Sequence, residues 1–343
     1  MDNTLPKETQ RRFVQFSGPR SAEICFEPLG ELQPNQVHVQ TICSAISAGT
    51  ELLVCRGELP ESMALDTNIQ SLSEQKNSWP IRYGYASVGV VTEPGDDFGS
   101  KWVGQRVFAF QPHQSHFCAM PETLIPLPEG MAAEDGVFLP NMETAVSFVM
   151  DGRPLLGETV VVLGLGVVGQ LTLKLLAGLS PGRLIGVDQL SSRRDAGLKS
   201  GATAVFDPAD PNLKQYFGDL GADLLFELSG NPQAIDLAVQ LAGYSGRIVI
   251  GSWYGKKQAT VDFGGHFHRS NIQLIASQVS RLHPSLTGRW TKQRRMNVAV
   301  QMLIKHRPSR TLITHRPDVS EATQIYKMLD ERPEEALQVV FNY

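Results

Sequence analysis

Short runs of alternating apolar and polar residues fill the first part of the chain, and from Gly157 the pattern changes to fully apolar runs separated by helix-length segments. Gln36-Val37-His38-Val39-Gln40-Thr41 and Ala86-Ser87-Val88-Gly89-Val90-Val91 are of the first kind. Punctuated by Pro and Gly, they predict a compact all-β fold. Of the second kind are Thr159–Leu163, Arg183–Asp188, Thr203–Phe206, Ala222–Glu227, Arg247–Gly251 and Ile272–Ala276. Buried parallel strands are apolar on both faces and need helical crossovers, so these runs predict an α/β, doubly wound parallel sheet of six strands. Near the end, Ser320–Leu329 predicts a helix opened by a Ser cap, and Ala336–Phe341 a closing strand. Between Glu61 and Trp79 the polar, weakly periodic sequence predicts a long loop, either a plain surface excursion or a cover over a site.

Gly164-Leu165-Gly166-Val167-Val168-Gly169 stands between the first apolar strand and the apolar helix pattern Gln170–Leu176. Strand, glycine turn and helix in that order let backbone approach a pyrophosphate, while the helix start offers free N–H groups and the positive end of its dipole. Without a ligand the glycines would serve only a tight turn. Asp188 ends the second strand, where a carboxylate accepts from ribose hydroxyls and repels a 2′-phosphate, which favours NAD over NADP. Arg193 and Arg194 follow closely, and a guanidinium there would instead grip that phosphate.

The 343 residues, 42% hydrophobic and 19% charged, suffice for two domains with a large core. A net charge of -4 gives no general attraction to nucleic acid or anionic lipid. Met1–Lys7 has no apolar leader core, and no window approaches a spanning helix, so a soluble cytoplasmic protein is expected. Cys25, Cys43, Cys55 and Cys118 form no C-x-x-C pair, which argues against a disulfide framework and a tetrathiolate zinc site.

Further residues carry a family likeness. Gly49-Thr50-Glu51, Gly84 with Val88-Gly89-Val90-Val91, Gly104-Gln105-Arg106-Val107, Leu127-Pro128, Thr144-Ala145, the glycine turn and Gly201-Ala202 span the chain. With them the whole chain resembles the medium-chain dehydrogenase/reductase superfamily, the zinc alcohol dehydrogenase and quinone reductase group. The resemblance implies a GroES-like catalytic domain over 1–146, a Rossmann nucleotide-binding domain over 147–288 and a return to the first domain over 289–343. It also implies a small-molecule substrate in the cleft between the domains and a homodimer through the sixth-strand edge. By family position, Thr144, Ser229 and Gly251 join the cofactor residues, and Gln338 stands where many members place Arg or Lys near the phosphates.

The departures are informative. Zinc members carry their ligands at positions that here hold Ala48, Tyr85, Ala86 and Pro140, and neither alanine nor proline offers a donor. The four-cysteine structural lobe is missing too. A member without zinc is implied. Ser47-Ala48-Gly49-Thr50-Glu51-Leu52 and Tyr83-Gly84-Tyr85-Ala86-Ser87-Val88-Gly89 resemble the group that includes the bacteriochlorophyllide hydroxyethyl dehydrogenases. His113, His116 and Cys118 have suitable donors for a metal, but on an extended segment the two imidazoles point to opposite faces. His266 and His268 read as loop residues before the sixth strand.

Without a metal, a side chain must give or take the proton at the substrate oxygen. Tyr85, at the position of the absent histidine, either polarises a carbonyl, relaying protons if its pKa is lowered, or merely fills the vacated space. Thr50 matches the family hydroxyl that passes a proton. His113 has the intrinsic pKa of a terminal proton acceptor, and Glu143 either orients a partner, acts as a base or complements a helix dipole. The expected activity is hydride transfer between a nicotinamide and an alcohol or ketone. Reduction of an activated C=C bond, as in quinone and enoyl reductases, and nucleotide binding without catalysis remain open at this point.

Overall fold

The computed structural model describes residues 10–60, 62–97 and 99–343, so Met1–Lys7 and Glu61, on which two expectations rest in part, lie outside the described residues. The chain forms two compact units. The first takes the chain through Phe138 and again from Ile313 to Tyr343, and the second takes Leu139–Leu312.

In the first unit, β1 (Gln10–Gly18) and β2 (Ser21–Pro28) pair antiparallel. Five further strands follow: β3 (Val37–Ala45), β4 (Ser87–Pro94), β5 (Arg106–Ala109), β6 (His116–Ala119) and β7 (Ile125–Pro126). The alternation anticipated the burial of β3, which turns Val37, Val39, Thr41 and Cys43 into the core. The returning chain adds β14 (Ile313–His315) and β15 (Gln338–Asn342), completing a seven-stranded sheet in the order β14-β15-β3-β4-β5-β7, with β6 on β3. The polar stretch after Glu61 is anchored to this unit. Leu65 and Leu72 are buried, and Ser71 Oγ donates to Phe110 O at 2.8 Å.

The second unit holds β8 (Thr159–Leu163), β9 (Arg183–Val187), β10 (Ala204–Phe206), β11 (Ala222–Glu227), β12 (Ala242–Ile250) and β13 (Gln273–Ala276). All are parallel, in the order β10-β9-β8-β11-β12-β13. The order reverses between β8 and β11, and in such sheets ligands bind beyond the carboxyl ends at the switch point. Apolar clusters fill both faces, one around Val161, Ile185, Leu225 and Ile248, the other around Val160, Val162, Leu224 and Phe226. That explains why the strands read as unbroken apolar runs.

Two expectations change. The boundaries fall at Phe138/Leu139 and Leu312/Ile313, not at 146 and 288, because the helices Leu139–Gly152 and Lys292–His306 pack on one another inside the second unit. The Ser320 cap also gives way. Asp318 caps a short 3-10 turn, Val319–Glu321, accepting from Ser320 N at 2.9 Å while Glu321 Oε1 accepts from Asp318 N at 3.0 Å. The helix proper is Ala322–Glu331. Asp318 wins because its carboxylate takes both a backbone and a side-chain hydrogen bond from Ser320, interactions that also lower its pKa. Asp318→Ala should therefore lower unfolding stability by about 1 kcal/mol, read from urea denaturation, with a smaller loss for Ser320→Ala because the acceptor stays in place.

Candidate active site

The glycine turn closes as the sequence requires. Gly164, at φ +94, packs so closely on the next strand's loop that a Cβ would sit 2.5 Å from Ser229 N. At Gly169 a Cβ would lie 2.0 Å from Gly164 O, so the helix Val167–Ala177 can approach β8 only because that atom is missing. A Cβ on Gly166 would meet nothing within 4 Å. That is the open side of the turn, where the first-turn N–H groups of a helix beginning at Val167 lack intrahelical carbonyls. Val168 packs on the core behind it, and Gln170 Nε2 bonds Leu165 O at 3.0 Å and Arg193 O at 2.9 Å.

Asp188 stands at the end of β9 beside this turn. Its Oδ2 accepts from Leu165 N and its Oδ1 from Leu190 N, each at 2.8 Å. Arg194 is committed elsewhere, to Asp188 O at 2.7 Å and Asp207 Oδ2 at 3.0 Å, while Arg193 Nη1 lies 4.0 Å from Asp188 Oδ2. Across the switch point, Ser229 donates from both N and Oγ to Glu227 Oε1, at 2.8 and 2.5 Å, and Tyr254 donates its hydroxyl to Oε2 of the same fully buried carboxylate. Gly251 lies at the end of β12, where a Cβ would come 2.3 Å from the Phe148 ring, so packing accounts for this glycine. Thr144 Oγ1 bonds back to Pro140 O at 2.9 Å.

A separate cluster of hydroxyls lies in the first unit. Tyr85, just before β4, donates to Ser47 Oγ at 2.5 Å and lies 3.5 Å from Thr50 Oγ1. Ser47 and Thr50 flank the start of the helix Ala48–Cys55. Burial pushes the Tyr85 phenol up to about 12, with the Ser47 and Thr50 hydrogen bonds pulling the other way. Tyr85 is therefore a neutral hydroxyl donor at ordinary pH and not a phenol with a lowered pKa.

Other candidates take different places. His113 is fully buried, with Nδ1 2.7 Å from Ser44 Oγ and Nε2 3.0 Å from Glu51 Oε2, so it cannot touch a substrate as a terminal acceptor. Its partner Glu51 was overlooked as a candidate although it adjoins Thr50, since nothing in a lone carboxylate's sequence position reveals burial. Glu143, inside the helix Leu139–Gly152, is engaged by a guanidinium. Its Oε1 accepts from Arg295 Nε at 3.1 Å and Nη2 at 2.8 Å, and both residues are buried. Gln338 is buried in β15, donating to Ile46 O at 2.8 Å and Val339 O at 2.6 Å. His116 stacks on His38 at 5.4 Å and Cys118 is half-buried.

Residues 167–292 match the family model of the zinc-binding dehydrogenases. D-guloside 3-dehydrogenase of Escherichia coli K12 is 25% identical over 276 residues, covering 76% of this chain and 77% of that protein. Two solved structures overlay nearly the whole chain. An alcohol dehydrogenase of Escherichia coli CFT073 complexed with NADH has a TM-score of 0.78 at 17% identity, covering 98% of this chain and 100% of that one. A zinc-binding dehydrogenase of Sinorhizobium meliloti 1021 bound to NADP has a TM-score of 0.76 at 16% identity, covering 98% and 100%. The fold is that of the medium-chain dehydrogenases. Beyond the fold, the chain is similar over residues 167–292 to the zinc-binding dehydrogenase family and over most of its length to D-guloside 3-dehydrogenase.

The positions at which the resemblance expects zinc ligands hold Ala48, Tyr85, Ala86 and Pro140. Ala48, Ala86 and Pro140 bring no donor, and the Tyr85 hydroxyl is turned to Ser47. Among the described residues no three His, Cys, Asp or Glu side chains gather in a metal-holding group. The Glu143–Arg295 pair predicts a distinct result. Glu143→Leu should destabilise by roughly 3–5 kcal/mol because it strands a buried guanidinium, and Glu143→Leu with Arg295→Leu should recover most of that loss in thermal or denaturant unfolding.

Proposed function

We propose that this protein is a metal-independent, nicotinamide-dependent dehydrogenase that interconverts a secondary alcohol and its ketone on a hydroxyl-rich, sugar-like substrate. The observation that carries the reading is the Tyr85–Ser47–Thr50 hydroxyl cluster, in which Tyr85 occupies the position where the resemblance expects a zinc-binding histidine. The substrate class rests on relatives named for sugar and polyol oxidation, D-guloside 3-dehydrogenase and galactitol 1-phosphate 5-dehydrogenase of Escherichia coli.

The turn Gly164–Gly169 with Val167 and Val168 would hold the pyrophosphate, and Asp188 the adenosine ribose. Thr144, Ser229 and Gly251 are the further cofactor candidates, with Ser229 and Gly251 at the carboxyl edge of the sheet. When bound, the nicotinamide supplies or accepts the hydride. The Asp188 carboxylate and the engagement of Arg194 with Asp207 support NAD over NADP. Exchanging Asp188 for Ala should narrow the ratio of kcat/KM for NAD over NADP by 10-fold or more, on the order of the loss of one charge-assisted hydrogen bond and one repulsion.

In the reducing direction Tyr85 donates its hydroxyl hydrogen to the carbonyl oxygen, which becomes the alcohol O–H as hydride reaches carbon. The Ser47 and Thr50 hydroxyls return a proton from solvent to the phenol oxygen. In the oxidising direction the same phenol must first be deprotonated. With its pKa at about 12, the tyrosinate population rises tenfold per pH unit through the alkaline range, so oxidation should accelerate with pH and reach no plateau below about pH 10.

The test is a panel of sugar alcohols and ketoses with NAD and NADP, followed by nicotinamide absorbance, with metal analysis of the active protein. Tyr85→Phe should lower kcat/KM by about 10²–10⁴-fold and abolish the alkaline rise, while leaving coenzyme affinity unchanged. Full activity in that variant, or turnover that needs stoichiometric zinc, would overturn the reading.

A further inference from the structure

The hydroxyl chemistry of Tyr85 makes no use of the most deeply buried polar pair beside it, Glu51 and His113, neither of which has any exposed surface. A carboxylate removed from water is costly unless its lone pairs are occupied. Glu51 meets that demand with donors from three separate segments. Oε1 accepts from Ser47 N at 2.7 Å, and Oε2 accepts from the Tyr326 hydroxyl at 2.5 Å and from His113 Nε2 at 3.0 Å. Beyond the imidazole, Ser44 Oγ lies 2.7 Å from Nδ1 and 2.8 Å from the Tyr343 hydroxyl.

Both ends of the Tyr85 hydrogen bond are tied to this pair. At one end, Glu51 holds the backbone of Ser47, whose Oγ receives the phenol hydrogen. At the other, His113 N–H donates to Tyr83 O at 3.2 Å, and the His113 ring lies so close over Gly84 that a Cβ there would come 2.6 Å from Cδ2. Gly84, at φ +109, is the residue from which the chain turns into Tyr85. The far side of the imidazole is closed by Phe341, with ring centroids 5.4 Å apart.

We infer that Glu51 and His113 are positioning residues for Tyr85: together they clamp the backbone on both sides of its hydrogen bond and fix where the phenol hydrogen points. The inference rests on the catalytic reading of Tyr85 for its kinetic consequences and on the geometry alone for its structural ones. The groups that face the phenol are Ser47, Thr50, Glu51, Asp66 and Tyr83, and the negative charge of Glu51 is among those that hold the phenol protonated.

The experiment combines kinetics with tyrosine titration. Glu51→Gln keeps an acceptor for Ser47 N but removes the charge, and Tyr326→Phe keeps the charge but removes one donor. The second variant stands in should the first fail to fold. Each is made alone and with Tyr85→Phe. The clamp predicts that kcat falls about 10-fold or more in the singles with KM changed less than about threefold, and that the same changes cost almost nothing further once Tyr85 is Phe. The 13Cζ-tyrosine resonance that Tyr85→Phe removes should move in both variants, and in Glu51→Gln it should titrate at lower pH than in the parent. Equal losses with and without Tyr85, or an unmoved Tyr85 resonance in a folded variant, would overturn the inference. If Tyr85→Phe keeps full turnover while the resonance still moves, the catalytic reading fails and the clamp stands.

Discussion

A carboxylate without water must find its donors in the protein, and at Glu51 they come from parts of the chain far apart in sequence. Ser47 precedes its own helix, His113 follows β5, and Tyr326 lies on the helix Ala322–Glu331 of the returning chain. One buried group therefore fastens the C-terminal return to the first unit and sets the frame of the hydroxyl cluster. Removing any donor would leave a buried acceptor short, which is why such networks are rigid when complete. The apolar surroundings, from Phe16 and Tyr326 to Phe341, exclude water and make the demand strict.

The second unit solves its own problem by backbone geometry. Its parallel sheet buries apolar strands on both faces, and three glycines let the first crossover helix close on the first strand while leaving one side of the turn open. Buried charge appears here as well, in Glu227 under Ser229 and Tyr254 and in the Glu143–Arg295 pair that joins two helices. In each case the charge is matched by donors at short range, the condition under which burial is tolerated.

The proposed chemistry rests on a hydroxyl in place of a metal ion. A zinc ion polarises an oxygen by charge, whereas a buried phenol does so by donating one hydrogen, and the same burial that aims it also raises its pKa to about 12. The proposed chemistry and its pH dependence thus have one physical source.

Most of the fold was legible along the chain. The six apolar runs became the six strands within a residue or two, except that β12 begins five residues earlier, and the glycine turn lies where strand and helix patterns meet. These features are set by local demands: alternation, apolar continuity, and positions where no Cβ fits. Tyr85 and Thr50 do come together, through a turn and a helix start that sequence likeness had already paired. The side-chain partners were not legible. Nothing near Glu143 names Arg295, nothing near His113 names Glu51, and nothing near Gln338 names Ile46. The sequence by itself determined the strands and the turn, because those depend on residue type and spacing. Only the tertiary structure decided which polar groups are buried and what answers them, because a hydrogen bond between distant segments leaves no periodic trace in either.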